Sequence, residues 1–353
     1  MISRRSTTLL FALLSLAFIA APAPPDHLLH LYFIDVDGGA ATLLITPERE
    51  SILIDSGWAG FDDRDPARIE HVLKQVAGLD RLHHLVTTHW HADHFGGVDA
   101  LSKRLRIDHF WDRGLPDPSA PNQDKTLFPD GPLPGNPLGD AYRKASSGKR
   151  QTLNAGDALP LKGNLKSLVL ASGTHVIKTP NSPDNPLCAD APPDLAPDPS
   201  DNARSLALRF RLGAFDFLDC GDLTWNIEKQ LVCPVNLIGP IDLFQVTHHG
   251  LSSSNHPTLV RSIAPTVAIM NNGPKKGGDA ATVKLLASIP SIQAAYQLHK
   301  NAATSPSENT DPSLIANPSP EGGQFIHVAV SADGSRFTVQ IGPQGAPRTF
   351  LSR

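Results

Sequence analysis

Short apolar runs separated by turn residues dominate the first patterned part of the chain. Residues 28–36, 40–46 and 51–55 are rich in Leu, Ile and other apolar residues, and a double glycine and a polar tetrapeptide divide them. Short strands joined by such turns are typical of an antiparallel β-meander. The sequence therefore predicts three neighbouring strands.

A helical period follows in residues 68–77, where apolar side chains recur three and four positions apart. Gly78 ends this segment as a C-cap. Residues 82–88 form the next β-rich run, which stops at His89, and residues 97–105 have the spacing of another helix. This order predicts a strand, a polar loop and a helix in succession.

The second half of the chain repeats the alternation of strands and helices. Its pattern predicts a short helix and strands within 142–170, strands over 205–210, 215–218, 241–246 and 266–270, helices over 227–232, 257–263 and 280–288, and a hairpin of 325–330 with 336–341. Two groups of strands, each with helices, indicate an α/β fold in which two sheets pack face to face with helices outside.

Two Pro-rich stretches interrupt this pattern, at residues 113–138 and 181–202. Neither shows a helical or strand period, and we expect both to be long surface loops. Because loops often carry specificity, we expect them to shape the substrate pocket. We predict one domain over residues 27–345 that contains both insertions.

Composition places the chain among globular proteins. It has 353 residues, of which 40% are hydrophobic and 19% charged. This is ample for a large core. The net charge of −4 gives no sign of a nucleic-acid partner. Three cysteines, Cys188, Cys220 and Cys233, lack zinc-finger spacing, and Cys220 lies in an apolar run typical of a buried thiol. One disulfide would leave one thiol free.

The N-terminus has the pattern of an export signal. Arg4 and Arg5 precede an apolar run over residues 9–21, and small residues follow it. The run is shorter than the ~18 residues of a membrane span. We predict a signal peptide over residues 1–23 and a periplasmic or secreted protein with no transmembrane helix after signal removal. An uncleaved anchor is the alternative.

Four metal-competent side chains lie within six residues: His89, His91, Asp93 and His94. They follow a predicted strand and precede a double glycine and a predicted helix. Imidazole and carboxylate groups suit zinc and similar divalent ions. One loop cannot easily wrap all four groups around one ion, so we expect two ions. The alternative is an accidental cluster among 15 histidines.

The motif His-x-His-x-Asp-His resembles the signature of the metallo-β-lactamase superfamily. This resemblance implies a four-layer αβ/βα sandwich of two mixed β-sheets flanked by helices. Residues 52–57 resemble the superfamily's first motif, Gly221-Asp222 the motif of a metal-bridging aspartate, and His248-His249-Gly250 the late histidine motif.

Within that superfamily, the chain resembles the hydrolase-like domain of ComEC/Rec2-type competence proteins and their stand-alone relatives. Residues 33–36, 202–206 and 248–252 carry this resemblance. Ala40 stands where those relatives have an acidic residue. Their multi-span membrane channel has no counterpart here, so the resemblance does not imply DNA uptake.

The resemblance implies a ligand for each half of a two-metal site. The implied set is His89 and His91 on the first ion, Asp93 and His94 on the second, Asp222 between them, and one of His248 and His249 completing the second ion. The His-Gly pattern favours His249, and the other histidine would donate a proton or bind a substrate oxygen. Asp93, Asp222 and His249 are the implied catalytic residues.

Four further residues have supporting roles in this interpretation. Asp55 and Thr88 are expected to orient ligands. His175 and Asn202 are additional candidates for the first ion, although His175 lies at an unusual spacing and a solvent-exposed loop position is an equal alternative.

The resemblance implies a binuclear metallohydrolase that uses a hydroxide bridging two divalent ions, zinc or alternatively manganese. Superfamily oxidoreductases with two irons have glutamate in place of His91, so this histidine favours hydrolysis. A phosphoester is the favoured small-molecule substrate. The alternatives are a β-lactam or lactone hydrolase and a non-catalytic, metal-containing binding protein.

Overall fold

The computed structural model describes residues 27–117, 127–178 and 183–353. The predicted signal peptide lies outside these residues. The strands in the described part are, in chain order, β1 (Leu29–Phe33), β2 (Thr42–Ile45), β3 (Ser51–Ile54), β4 (Arg81–Val86), β5 (Arg106–Asp112), β6 (Arg150–Thr152), β7 (Lys166–Ser172), β8 (His175–Val176), β9 (Ala207–Leu212), β10 (Phe215–Asp219), β11 (Leu243–Gln245), β12 (Val267–Met270), β13 (Ala294–His299), β14 (Ile315–Asn317), β15 (Ile326–Val330), β16 (Arg336–Ile341) and β17 (Arg348–Leu351).

Helices connect or follow most of these strands. They are α1 (Arg64–His71), α2 (Ala92–Phe95), α3 (Val98–Arg104), α4 (Pro137–Ser146), α5 (Trp225–Gln230), α6 (Pro257–Ile263) and α7 (Ala280–Ala287). A π-helical turn, Val72–Val76, continues α1, and Gly78 beyond it has a φ of 65°. That left-handed conformation suits a glycine at a helix end.

The strands form two mixed sheets. The first has the order β17-β16-β15-β1-β2-β3-β4-β5-β6, and the second has the order β14-β13-β12-β11-β10-β9-β7-β8. In the first sheet, β3, β4, β5 and β6 run parallel. In the second, β10 to β14 run parallel, and β9 pairs antiparallel with β10 and β7.

Three apolar clusters define four layers. The largest cluster lies between the sheets, where Phe33 of β1 meets Phe217 of β10 edge-on at a ring distance of 6.0 Å. A second cluster packs the outer face of the first sheet against α1, α3 and α4. A third packs the outer face of the second sheet against α5, α6 and α7. Two mixed sheets with flanking helices confirm the predicted fold class.

Most predicted elements match those of the structure within a few residues, including α6 and the hairpin of β15 and β16. The described parts of the two Pro-rich stretches are irregular apart from short 3-10 turns and the start of α4. Cys188 and Cys233 form a disulfide, and Cys220 is a buried free thiol. In the described part of the chain, no helix is long and apolar enough to cross a membrane.

Candidate metal centre

The candidate ligands follow strands that lie side by side in each sheet. Asp55 comes directly after β3, and His89 lies three residues after β4 in the same sheet. In the second sheet, Asp222 lies three residues after β10, and His248 lies three residues after β11. Because the carboxyl ends of neighbouring parallel strands meet at one edge, the topology gathers these side chains.

The double glycine, Gly96-Gly97, allows the His-x-His-x-Asp-His loop to pack closely against neighbouring backbone. A Cβ at Gly97 would lie 2.1 Å from the carbonyl oxygen of Ser56, and one at Gly96 would lie 2.4 Å from Ala59 N. These backbones can approach so closely only because neither position carries a side chain. The close packing fixes the short helix α2, which carries Asp93 and His94.

One group of candidate ligands comprises Asp93, His94, Asp222 and His249, all buried. His94 Nε2 lies 3.2 Å from His249 Nε2 and 3.2 Å from Asp222 Oδ2. His249 Nε2 lies 3.2 Å from Asp93 Oδ2 and 3.3 Å from Asp222 Oδ2. Two imidazoles and two carboxylates that converge in this way suit one divalent ion.

A second group comprises His89, His91 and Asp222. His89 Nε2 is buried 3.8 Å from Asp222 Oδ2, and it has no hydrogen-bond partner among the described residues. A buried, unpaired imidazole nitrogen beside a carboxylate fits a metal ligand, because it would otherwise cost free energy. Asp222 belongs to both groups, so its position is compatible with bridging two ions.

Asp55 forms hydrogen bonds with two residues of the histidine-rich segment, Thr88 and His94. Its Oδ1 accepts a hydrogen bond from Thr88 N (2.8 Å), and its Oδ2 accepts one from Thr88 Oγ1 (2.7 Å). Oδ2 also lies 2.7 Å from His94 Nδ1, so Nε2 of His94 is directed into the group. Asp55 has a φ of 60°, an uncommon conformation for a residue with a side chain.

The late histidine motif presents its two imidazoles to different neighbours. His248 and His249 have φ values of 54° and 53°, so the chain turns sharply at both residues. His249 joins the group of Asp93 and His94. His248 Nε2 instead lies 3.5 Å from Asp222 Oδ2 and 3.4 Å from Asn202 Nδ2. The two histidines therefore occupy distinct positions around the same carboxylate.

The carboxylates and imidazoles of the centre shift each other's pKa values. Burial lowers the pKa of His94, but the carboxylates of Asp222, Asp93 and Asp55 outweigh burial and hold it well above the usual range. Burial raises the pKa of Asp222, but His249 and His94 reverse that effect and hold it well below its usual range. The carboxylates thus concentrate negative potential, which favours bound cations.

His89 differs from His94 in its protonation. Burial, together with the nearby His94, holds the pKa of His89 well below its usual range. Its imidazole is therefore neutral at neutral pH, and the lone pair that a metal requires is available.

Sequence reasoning missed two residues at the centre. Lys276 Nζ contacts Asp93 Oδ2 and lies 5.2 Å from the centre of the Trp58 ring. Asp130, in the first Pro-rich stretch, contacts His91. No local pattern marks Lys276 or Asp130, because the fold brings each of them from a distant loop.

The other sequence candidates fall in different places. The amide of Asn202 reaches His248, and its buried Oδ1 has no hydrogen-bond partner in the described ranges. His175 is exposed on β8, and the structure does not bring it into either ligand group.

A third group of metal-competent residues lies elsewhere, at Asp35, Asp37 and His299. Arg68 Nη1 bonds Asp35 Oδ2 at 2.9 Å, and Arg64 contacts Asp37. Both carboxylates therefore have a guanidinium partner, and the group is an ion-pair network that joins α1 to the end of β13.

Residues 35–177 match the family described as the metallo-beta-lactamase superfamily. The matched range includes Asp55 and the whole His-x-His-x-Asp-His motif, residues 89–94. Over residues 35–177 the chain is similar to that superfamily. Its two mixed sheets with flanking helices agree with the sandwich of that superfamily. No curated protein matches the chain.

Solved structures similar to this chain include a variant of the CmlA beta-hydroxylase, at 16% identity and a TM-score of 0.46. The similarity covers 79% of this chain and 53% of that one. CmlA itself, a diiron beta-hydroxylase from Streptomyces venezuelae, has 16% identity and a TM-score of 0.40, with coverages of 71% and 46%. A metallo-beta-lactamase motif variant from Cronobacter sakazakii has 14% identity and a TM-score of 0.31, with coverages of 64% and 64%. The chain spans about half the length of the hydroxylase.

Proposed function

We propose that this protein is a binuclear metallohydrolase that cleaves phosphoesters. The observation that carries the proposal is Asp222, whose carboxylate belongs to both ligand groups. In the proposed site His89 and His91 would hold one ion, Asp93, His94 and His249 would hold the second, and Asp222 would contribute to both. The nitrogen and oxygen donors favour zinc.

Two such ions would supply Lewis acidity and would lower the pKa of a bound water toward ~7. The chain's own residues supply the rest of the chemistry. His248 lies beside Asp222 without joining the second ligand group, so we assign it to proton donation or to a substrate oxygen. Asn202, 3.4 Å from His248, is placed to hold the same oxygen.

Lys276 supports a negatively charged substrate. Its side chain is one-third exposed, and its ammonium group lies at Asp93, beside the Trp58 ring. A cation at the edge of the ligand group attracts the charge of a phosphodiester. A neutral lactone would gain nothing from this group.

The test is metal content by mass spectrometry together with hydrolysis of bis-p-nitrophenyl phosphate and nitrocefin. We expect about two equivalents of zinc, as two-metal sites hold, and cleavage of the phosphodiester. Cleavage of nitrocefin alone would favour the β-lactamase alternative. Bound metal without turnover of either substrate would favour the binding protein. Asp222→Ala should abolish turnover, and full activity in that variant would refute the bridging role.

Export and the ComEC/Rec2 relationship are part of the same proposal. The disulfide between Cys188 and Cys233 supports an oxidising compartment, where such bonds persist. Expression of the full chain in a bacterium, followed by the mass of the product in the periplasm and medium, tests cleavage near residue 23.

A further inference from the structure

An open cleft of about 320 Å³ lies beside the candidate metal centre. One wall is the second Pro-rich stretch, with Leu195, Pro197 and Pro199, and the facing wall carries Trp225 and Ser253. Its volume is at the lower end of the ~300–1,000 Å³ of small-molecule sites. Leu195 is 47% exposed, so its side chain is accessible to a bound group.

The wall is fastened to the protein at several points. Trp225 Nε1 donates a hydrogen bond to Pro193 O at 3.2 Å. Asn226 makes two hydrogen bonds with the backbone of Leu195, at 2.8 and 2.9 Å. The disulfide between Cys188 and Cys233 links the first part of the same stretch to the segment after α5. The cleft is therefore preorganised, which reduces the entropic cost of binding.

The polar groups around the cleft are used by the protein itself. Asp198 Oδ1 accepts a hydrogen bond from Ser200 N at 2.7 Å. Asp194 pairs with Lys229 at 2.8 Å, and Asn226 bonds the backbone of the wall. The apolar part of the lining is formed by leucine, alanine, proline and tryptophan side chains, and it suits an apolar or aromatic group.

One imidazole separates the cleft from the proposed ions. Ser253, which lines the cleft, has its Oγ 3.3 Å from His248 Nδ1, and His248 Nε2 lies 3.5 Å from Asp222 Oδ2. Thr224, two residues after Asp222, also lines the cleft. A group attached to a phosphorus atom at the centre would reach the cleft past His248.

We propose that this cleft is a substrate subsite that binds an aromatic or branched apolar ester group of the phosphodiester. The assignment rests on the proposed function for the identity of the reacting centre. It adds a substrate class, diesters with at least one bulky apolar group, and it assigns Leu195 and Trp225 as the residues that select them.

The test separates binding from turnover. Diphenylphosphinate and dimethylphosphinate carry the same charge and cannot be hydrolysed as esters, and their Kd values are measured on the zinc-loaded protein by calorimetry. We expect diphenylphosphinate to bind at least fivefold more tightly. Leu195→Ser and Trp225→Ala should remove most of that preference, whereas Leu351→Ser, an exposed leucine outside the cleft lining, should keep it.

Turnover provides an independent measurement. Bis-p-nitrophenyl phosphate should have a higher kcat/KM than methyl p-nitrophenyl phosphate, and Leu195→Ser should reduce this ratio at least threefold. An unchanged phosphinate preference in Leu195→Ser and Trp225→Ala would overturn the subsite. Failure of the wild-type protein to cleave either diester would overturn the phosphoesterase proposal, while the phosphinate measurement would still decide the cleft. Leu195→Ser changes an exposed side chain, so the test does not depend on whether the tryptophan variant folds.

Discussion

Oδ2 of Asp130 lies 3.1 Å from Nε2 of His91, and the same oxygen accepts a hydrogen bond from Asp201 N at 2.9 Å. With Nε2 engaged, Nδ1 is the nitrogen of His91 that remains for an ion. A carboxylate on the outer nitrogen of a ligating histidine fixes the ring and raises its basicity. The first Pro-rich stretch thus reaches the candidate metal centre through the side chain of Asp130.

We expect Asp130→Ala to weaken zinc binding by roughly 10–100-fold, the usual effect of removing such a partner. Competition with a chromophoric chelator measures this affinity. Asp140→Ala is the control, since Asp140 is 54% exposed and pairs with Arg143 on α4. Equal zinc affinity in the Asp130 variant and the wild-type protein would contradict the orienting role.

Lys276→Met should raise KM for bis-p-nitrophenyl phosphate about tenfold, equivalent to about 1.4 kcal/mol of lost binding. The reason is loss of the ammonium group at Asp93. The KM for neutral p-nitrophenyl acetate should change less than twofold if that ester is turned over, and Lys276→Arg should recover part of the loss. The exposed neighbour Lys275 provides the control, as Lys275→Met. Steady-state kinetics would argue against anion recognition if both substrates lost affinity equally.

Zinc and protons should compete at His94. The carboxylates of Asp222, Asp93 and Asp55 overcome burial and hold the pKa of His94 well above the usual range, so the ring carries a proton at neutral pH. Binding an ion at Nε2 must release that proton. Zinc affinity should therefore fall as pH decreases from 8 to 6, and calorimetry in buffers of different ionisation enthalpy should detect the released proton. A pH-independent affinity would contradict this protonation state.

Glu228 should make folding stability depend on pH. Burial raises its pKa to about 8, against a hydrogen bond from the backbone of His256. Between the pKa of the unfolded chain, ~4.3, and about 8, the unfolded chain loses this proton and the folded chain keeps it. Stability from this group is therefore fully present below that window and is lost as pH rises through it.

Glu228→Gln should remove this dependence, at about 1.36 kcal/mol for each pH unit within the window. Glutamine retains an oxygen that accepts the hydrogen bond from His256 N, which is 2.8 Å long in the wild-type protein. Urea unfolding at pH 5 and pH 8 measures the difference, with the exposed Glu48→Gln as the control. A variant with the wild-type pH slope would show that Glu228 is not the group responsible.

The sequence predicted the loops of candidate ligands at the ends of apolar strands, and the structure has them there. His89 follows β4 in the first sheet and Asp222 follows β10 in the second, and the packing of the two sheets brings these strand ends together. The alternation of strands and helices also predicted that two sheets pack face to face with helices outside.

Other parts of the fold depend on contacts between distant residues. Strand β13 was not predicted, since Gln297 and His299 are polar; they are buried because Asn309 and Asp35 satisfy them. Asp130 and Lys276 reach the centre from loops with no period of their own. Such partners are set by tertiary structure, which local patterns do not encode.

Four imidazole nitrogens lie within 3.2 to 3.8 Å of a single oxygen, Oδ2 of Asp222. They are the Nε2 atoms of His89, His94, His248 and His249. In the proposed two-ion site, occupation of one half would therefore alter the charge and orientation of an atom that serves the other half. The two binding equilibria would then be thermodynamically linked, and the link would be reciprocal. Zinc titration should accordingly follow a two-step isotherm with unequal constants, and the singly loaded protein would be a distinct chemical species with its own population at each zinc concentration.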